Sequence, residues 1–424
     1  MPTSPTSNLE NRIIFCKDNL EILQGINSNC IDLIYLDPPF NKNKTFTAPI
    51  GSSAEGASFK DIFTEKDIKE EWVETIKEDN EKLFHFLNGI KNIEGKRSYN
   101  FCYLVYMAIR LIEMHRILKD TGSVYYHCDP KMSHYIKITM DCIFGEKNFR
   151  NEIIWWYDTG GMAKSDFSRK HDTIFRYIKS NKWVFNADTI KTEKNEKQKQ
   201  RFELAKKWGG DSTYRLTDTK KYPHDVIQIH AINPKAKERT KYPTQKPIAL
   251  LELIIKVSSN EDDMVLDPFC GCATTCIAAE KLNRKWVGID VSIKAYELVK
   301  ERIKKEIKPE QPKFWDDKKI NFFTSPPQRT DDGKNYIPKK WVYIISHKRD
   351  KKFFKVGIAS DWKARLNSYQ TADAERSYKI EYKLLTTKYR ETEKHIHQKF
   401  DSKYEWVNGD LKDIIAEIEN FQTL

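Results

Sequence analysis

The stretch Met264-Val-Leu-Asp-Pro-Phe-Cys-Gly-Cys-Ala-Thr-Thr275 decides the fold of the larger part of this 424-residue chain. Residues 263–267 form a short apolar run that is typical of a buried strand, 268–273 are a tight loop of mostly small residues, and 274–282 are predicted to be helical. The next strand is predicted at 285–290, followed by an amphipathic helix at 293–307. Strands that alternate with helices predict an α/β fold with a doubly wound, mostly parallel sheet.

The loop in this stretch has the small residues that let a backbone approach a ligand. Ligands of open parallel sheets bind at the carboxyl ends of the strands, where this loop is expected. Asp290 ends the following predicted strand, and its carboxylate could accept hydrogen bonds from ribose hydroxyls. A plain turn and a dinucleotide site stay open at this point. Cys270, Cys272 and Cys276 are interpreted as packing residues, since the paired spacing of structural zinc ligands is missing.

A second apolar run, Ile31–Leu36, is stopped by Asp37-Pro38-Pro39-Phe40. Neither proline can extend a central strand, so a loop is predicted there. A carboxylate and a rigid carbonyl can each accept one N–H of an exocyclic amino group, such as that of adenine, and so turn its lone pair toward an electrophile. An aromatic ring can stack on a base that is flipped out of a duplex. The alternative is an ordinary proline turn.

Together these motifs resemble the beta group of bacterial DNA amino-methyltransferases, in which the catalytic motif precedes the cofactor motif. The resemblance covers most of residues 11–305 and implies a Rossmann-like methyltransferase sheet with S-adenosylmethionine as cofactor. Asp18 would approach the adenine of that cofactor, and the segment Tyr242-Pro-Thr-Gln-Lys-Pro247 would close over its methionine end. The resemblance implies the catalytic residues Asp37, Pro38, Pro39 and Phe40 and the cofactor-binding residues Asp18, Thr244, Gln245, Lys246, Asp267, Phe269, Gly271, Ala273, Thr274 and Asp290.

The sequence departs from the family pattern at two positions. Ala273 stands where the family usually has glycine, and Phe40 stands where tyrosine is commoner. Neither change removes a charged or acceptor group, so activity is expected. Asp37 as the initial residue of the tetrapeptide favours adenine over cytosine, which remains an alternative.

The charge of the chain favours a polyanionic partner. Lys and Arg outnumber Asp and Glu by 73 to 61, giving a net charge of +12. Residues 187–246 hold 15 basic against 8 acidic residues, with aromatic residues between them. The family places its target-recognition region here, so we expect this segment to bind double-stranded DNA. A solvated Lys-rich surface is the alternative.

The remaining composition predicts a cytoplasmic protein without a membrane segment. Eight cysteines are sparse in a chain with no leader pattern, which favours a reducing compartment. Oligomeric state is not fixed by these residues; members of the family are often dimeric, so a homodimer stays open.

A second domain is predicted after a Pro-rich, aperiodic linker at 308–335. Its residues 340–410 resemble the GIY-YIG nuclease superfamily, which implies a small α+β domain that hydrolyses phosphodiesters with Mg²⁺. Lys355 departs from that pattern, which has tyrosine there, so a module that only binds DNA or a partner remains an alternative. Carried over by position, the catalytic residues are Tyr343, Lys355, Arg365 and Tyr369, and the metal ligand is Glu393.

The predicted organisation is therefore a methyltransferase domain at 1–307, the linker at 308–335 and the GIY-YIG-like domain at 336–424. Within the first domain, residues 42–100 are expected to be an insertion over the site. The leading hypothesis is site-specific adenine methylation with a fused endonuclease. A methyltransferase acting on RNA or protein is the rival from another class, and the basic segment at 187–246 argues against it.

Overall fold

The computed structural model describes residues 7–52, 54–95, 98–158, 163–193, 199–200, 220–233, 235–307, 320–331, 334–335, 340–359, 362–386 and 388–423. The chain divides into two compact units. The first unit comprises Met1–Asp67 and Glu94–Lys334, and the second comprises Ile68–Ile93 and Asn335–Leu424.

The first unit is built on a sheet that has nine strands within the described residues, in the order β10-β6-β7-β5-β2-β11-β12-β1-β13. Among these described strands, β7 pairs antiparallel with β5 and β6, and all other neighbours pair in parallel. The predicted doubly wound, mostly parallel sheet is therefore confirmed. The strands are β1 Ile13–Cys16, β2 Ile31–Leu36, β5 Leu118–Cys128, β6 Phe149–Trp156, β7 His171–Ile178, β10 Val226–Gln228, β11 Met264–Asp267, β12 Lys285–Asp290 and β13 Asn321–Phe323. Two-stranded ribbons pair β3 Lys44–Thr47 with β4 Ser58–Asp61, β8 Thr192–Glu193 with β9 Lys220–Lys221, and β14 Thr330–Asp331 with β15 Lys334–Asn335.

The central strands are mostly apolar and buried, as is typical of a parallel sheet whose two faces are covered by helices. All four residues of β11 and five of the six residues of β2 are buried. The helices of this unit are α1 Asn19–Gly25, α4 Tyr99–Ile117, α5 Pro130–Phe144, α6 Ile248–Ser258, α7 Thr274–Lys281 and α8 Ile293–Glu306. Leu250, Ile254 and Ile277 of α6 and α7 pack with Val265 and Trp286 of the sheet in one core cluster.

The expected insertion at 42–100 divides between the two units. Its first part is the β3–β4 ribbon, and Ala48, Ala54 and Ala57 pack near it in a small cluster with Cys272 and Leu298. Its second part is a helix pair, α2 Glu70–Asp79 and α3 Glu81–Glu94, most of which belongs to the second unit. The sequence pattern alone gave no sign of this division.

The described residues of the second unit form a five-stranded antiparallel sheet, in the order Tyr378–Thr386, Lys340–His347, Asp350–Ala359, Trp406–Asn408 and Asp401–Lys403. Helices packed on it complete the small α+β domain that the sequence predicted. The core contains Val342, Ile344, Val356, Ile396 and Ile414. The elements are β16 Lys340–His347, β17 Asp350–Ala359, α9 Trp362–Ala372, β18 Tyr378–Thr386, α10 Tyr389–Lys399, β19 Asp401–Lys403, β20 Trp406–Asn408 and α11 Leu411–Thr423.

In the described part of the chain, no helix is both long enough and apolar enough to span a membrane.

Candidate functional site

The candidate site of the first unit lies at the carboxyl ends of neighbouring parallel strands. Register pairs Leu36 of β2 with Tyr126 of β5, and Cys16 of β1 with Asp290 of β12. Because these strands run in the same direction, the loops that follow them meet at one edge of the sheet. The tetrapeptide at 37–40 is at this edge, and because of its predicted role we call it the catalytic tetrapeptide. The loop at 267–275 is at the same edge, and for its predicted role we call it the cofactor loop.

Asp267 shapes the cofactor loop from inside. One of its carboxylate oxygens accepts the hydroxyl of Thr275 at 2.5 Å, and the other accepts the backbone N–H of Phe269 at 3.1 Å. The side chain is buried, and this burial, together with the negative charges of Asp37 and Asp290, raises the pKa of Asp267 to about 7. Both carboxylate oxygens of Asp267 therefore accept hydrogen bonds from the cofactor loop itself.

Asp290 closes the loop from the next strand. Its two oxygens accept the backbone N–H groups of Gly271 at 2.9 Å and Ser292 at 2.8 Å. A carboxylate that makes these two bonds retains acceptor capacity for a ligand. Gly271 has φ +49°, and a Cβ there would lie 3.0 Å from the ring of Tyr242, so a side chain would not fit without movement.

Ala273 adopts the left-handed conformation, with φ 56° and ψ 38°, at the N-cap of α7. The family's usual glycine is explained by this geometry, which costs an L-residue roughly 1–2 kcal/mol. Thr274, the first residue of α7, is buried and accepts Nη1 of Arg302 at 3.0 Å. The neighbouring thiols of Cys270, Cys272 and Cys276 are buried, which raises their pKa values and keeps them protonated.

Asp18 is held by a residue that sequence reasoning missed. It caps the N-terminus of α1 by accepting the N–H of Leu20, and it also pairs with Arg110 at 2.7 Å. Arg110 is fully buried in α4, donates to Asn19 at 2.6 Å and lies 3.4 Å from the ring centre of Tyr106. The sequence did contain one sign of this role, because Arg110 lies among apolar residues in the predicted helix.

The catalytic tetrapeptide is anchored by the segment at 242–247. The ammonium of Lys246 lies 2.6 Å from a carboxylate oxygen of Asp37, and both side chains are largely buried. The same ammonium lies 5.1 Å from the ring centre of Phe40. Lys246 is thus paired with the carboxylate of Asp37.

The other two predicted residues of this segment have different surroundings. The amide oxygen of Gln245 accepts the hydroxyl of Thr240, and its nitrogen donates to the backbone carbonyl of Glu238. These bonds hold the segment against the residues that precede it in the chain. Thr244 has a positive φ of 62°.

Behind Phe40 lies a polar group that the sequence did not single out. His127, at the end of β5, stacks on Phe40 with ring centres 5.8 Å apart and an angle of 28° between the planes. Its two ring nitrogens bond to Tyr35 at 2.8 Å and to Asp172 at 3.1 Å. The ring of Phe40 is therefore held by His127 and lies near two ammonium groups, those of Lys246 and Lys42.

The predicted residues of the second unit also converge. Tyr343, Lys355, Arg365, Tyr369 and Glu393 line one cavity of about 150 Å³, which we call the C-terminal pocket. The hydroxyls of Tyr343 and Tyr369 are 3.3 Å apart, and the ammonium of Lys355 lies 4.4 Å from the ring centre of Tyr369. A Cβ at Gly357 would lie 2.7 Å from the Tyr343 hydroxyl, so this position requires glycine.

The charges of the C-terminal pocket come from two distant parts of the chain. Lys355 forms an ion pair with Glu405, and the guanidinium of Arg365 donates to the carbonyl of Lys77 at 3.2 Å. Burial, together with the charge of Glu78 on α2, raises the pKa of Glu393 to about 8. Burial likewise raises the pKa of Glu78 to about 7. Sequence reasoning missed both Glu78 and Glu405, because neither belongs to a recognisable motif.

Much of the basic segment at 187–246 lies outside the described residues, including Lys197, Arg201, Lys206 and Lys207. Tyr222, from the described part, is exposed and donates to Asp188 at 3.2 Å. Among the described residues, no group of three or more His, Cys, Asp or Glu side chains is arranged to hold a metal ion.

Known proteins match the two parts of the chain separately. The T5orf172 domain matches residues 340–422. This finding names the C-terminal domain differently from the GIY-YIG resemblance, and it does not support the expected fused nuclease.

The larger part has relatives among named methyltransferases. Type II methyltransferase M.HpaI of Haemophilus parainfluenzae is 28% identical over 302 residues, which are 70% of this chain and 76% of the relative. DNA adenine methyltransferase YhdJ of Escherichia coli (strain K12) is 28% identical over 286 residues, 67% of this chain and 79% of the relative. The solved M1.HpyAVI–SAM complex is 21% identical with a TM-score of 0.38, and the match covers 69% of this chain and 98% of that one. The DNA methylase family matches residues 31–301, which is more than half of the chain, and this protein therefore belongs to that family.

Proposed function

We propose that this DNA methyltransferase transfers the methyl group of S-adenosylmethionine to the exocyclic amino group of adenine in double-stranded DNA. The observation that carries the proposal is that Asp37 and the cofactor loop lie at one sheet edge, because β2 and β11, which they follow, are adjacent and parallel. An acceptor for the amino group and a loop for the cofactor are thus adjacent, as an in-line transfer requires.

The chain's residues take the following roles in this proposal. Asp37 accepts one N–H of the target amino group, and the carbonyl of Pro38 accepts the other. The flipped base stacks on the ring of Phe40, and His127 holds the orientation of that ring. Lys246 keeps the Asp37 carboxylate in place and neutralises it when no amino group is bound. The initial Asp of the tetrapeptide favours adenine, and the relative YhdJ is named a DNA adenine methyltransferase.

The residues at the sheet edge fit S-adenosylmethionine. Asp290 retains acceptor capacity for ribose hydroxyls, and Gly271 lets the backbone of the loop come close to a ligand. Asp18, fixed by Arg110, offers an acceptor near the first strand. When bound, the cofactor supplies an electrophilic methyl group on a sulfonium. We further propose that the basic segment at 187–246 recognises the target sequence, since its charge suits phosphate contacts.

The test compares the DNA of cells that express the wild-type chain with the DNA of cells that express Asp37→Ala. Sequencing that detects modified bases should find N6-methyladenine in one short sequence for the wild type only. Calorimetry should show that Asp37→Ala still binds S-adenosylmethionine, because the carboxylate acts on the target amino group. A modified cytosine in place of adenine, or loss of cofactor binding, would contradict the assigned roles.

A second candidate function is hydrolysis of phosphodiesters by the C-terminal pocket. It is favoured by one observation: Tyr343, Arg365, Tyr369 and Glu393, which the GIY-YIG resemblance implies as a site, line one cavity. A phosphate entering this cavity would meet Arg365 as well as the carboxylates of Glu78 and Glu393, and a divalent cation held by the carboxylates would offset their charge. The ammonium of Lys355 lies over Tyr369, at the position where the superfamily has its second tyrosine.

Cleavage of unmethylated plasmid that carries the mapped target tests this second function. Cleavage should require Mg²⁺ or Mn²⁺, and Glu393→Ala should stop it without affecting methylation. Glu391→Ala is the matched control, since Glu391 is an exposed carboxylate on the same helix. Intact plasmid under conditions of complete methylation would instead favour a module that only binds DNA or a partner.

A further inference from the structure

His127 is a fully buried histidine at the end of β5, beside the catalytic tetrapeptide. Its Nε2 lies 3.1 Å from Asp172 and its Nδ1 lies 2.8 Å from the hydroxyl of Tyr35. Asp172 is on β7 and Tyr35 is on β2, so the imidazole joins the strands on both sides of β5.

The hydrogen bonds define which nitrogen carries a proton. An ionised carboxylate only accepts, so Nε2 donates to Asp172. Burial alone would raise the pKa of Asp172, but the hydrogen bond from His127 and the positive charges of Lys246 and Lys42 bring it below its usual value, so the carboxylate is ionised. Burial and the charge of Asp37 raise the pKa of Tyr35 well above its usual value, so its hydroxyl keeps the proton that it can donate to Nδ1.

Two bonds on opposite sides of the ring fix its rotation about the Cβ–Cγ bond. A phenyl or aliphatic side chain of similar size would fill the same space but would have no such restraint. Trp155 adds an edge contact, with ring centres 5.6 Å apart and planes at 87°. The imidazole therefore presents one defined face to Phe40, at 5.8 Å between ring centres.

We propose that His127, held by Asp172 and Tyr35, is a positioning residue for methyl transfer, which sets the plane of Phe40 and through it the place of the target base. This inference rests on the proposed function, in which Phe40 stacks on the flipped base. A purely structural role would not need the hydrogen-bonded group of His127, Asp172 and Tyr35, because an apolar residue could support Phe40 without burying a carboxylate.

The experiment measures kcat, KM for DNA and cofactor affinity for His127→Phe and Asp172→Leu in the full-length protein. His115→Phe is the matched control, since His115 is a largely buried histidine of the same unit that contacts the ring of Phe144. We expect kcat to fall at least tenfold in both test variants, with S-adenosylmethionine affinity changed less than twofold. The control should keep wild-type kcat. Asp172→Asn, whose amide oxygen can still accept from Nε2, should recover most of the activity.

A fluorescent readout separates positioning from general damage. With 2-aminopurine at the mapped target adenine, the flipped base should be brighter in His127→Phe than in the wild type, because looser stacking on Phe40 quenches it less. A kcat within twofold of wild type in His127→Phe, or equal losses in Asp172→Asn and Asp172→Leu, would overturn the inference. An equal loss in His115→Phe would overturn it as well. Failure of the wild type to methylate adenine would instead refute the proposed function.

Discussion

A buried ion pair beneath the cofactor loop gives the sharpest stability prediction. Glu280, in the last turn of α7, accepts Nη2 of Arg12 at 2.6 Å and Nε of Arg12 at 3.0 Å. It also accepts the indole N–H of Trp286 at 2.8 Å. The side chains of Arg12 and Glu280 are only 8% and 4% exposed, so neither charge has water as a substitute partner.

Replacing Glu280 with leucine should therefore be severe. Removing one partner of a buried pair leaves an uncompensated charge and typically costs about 3–5 kcal/mol. For a unit of this size that corresponds to a decrease in Tm of roughly 6–20 °C. Since Glu280 fixes α7 to the start of β1 and to β12, cofactor affinity should fall as well.

The double variant Arg12→Met, Glu280→Leu supplies the control. It removes both charges together, and such replacements by apolar residues are often neutral or stabilising. We expect its stability to lie within about 2 kcal/mol of wild type. Urea unfolding of the full-length protein, followed by hydrogen exchange in peptides covering residues 264–290, reports on this unit alone. If the double variant were as unstable as the sum of the two single variants, desolvation of the remaining charge could not be the cause.

Three further predictions concern the cofactor loop. Asp290→Asn should weaken S-adenosylmethionine binding by ~1.5–3 kcal/mol, the usual contribution of a charged acceptor, and unchanged affinity by calorimetry would exclude its ribose role. Because the pKa of Asp267 is raised to about 7, the native state binds more protons than the unfolded state between about pH 4 and 7. Stability should thus fall across that window by about 4 kcal/mol, and Asp267→Asn should flatten the dependence of the urea midpoint on pH. Ala273→Gly should be nearly neutral, since relief of about 1–2 kcal/mol of left-handed strain is offset by about 0.5–1 kcal/mol of chain entropy and about 0.8 kcal/mol of methyl burial; a gain above about 2 kcal/mol in urea unfolding would contradict this balance.

The sequence was sufficient where a local pattern has one structural solution. The run Met264–Asp267 followed by small residues predicted a strand and a tight loop, and both are present. Ala273 stands where the family usually has glycine, and its φ of 56° explains that preference. Patterns of this kind concern neighbours in the chain, so no knowledge of the tertiary fold is needed.

Partners that are far apart in the chain could not be predicted. The Lys246–Asp37 pair joins residues 209 positions apart, and His127–Asp172 joins residues 45 apart on adjacent strands. The sequence around each residue does not identify its partner, because only the tertiary fold brings the members of each pair together. Family resemblance assigned Lys246 to the cofactor, and the structure places its ammonium 2.6 Å from the carboxylate of Asp37.

The two candidate sites differ in what surrounds their buried carboxylates, and this difference affects what each can bind. Asp37 has an ammonium at 2.6 Å, so its charge is balanced inside the protein, and a neutral base can approach it. Glu393 forms no salt bridge among the described residues and instead faces a second carboxylate, that of Glu78. Burial of two like charges is unfavourable unless they are protonated or share a cation. The carboxylate of Asp37 is therefore balanced by a side chain of the protein, while Glu78 and Glu393 have raised pKa values and so favour the binding of protons or of a cation.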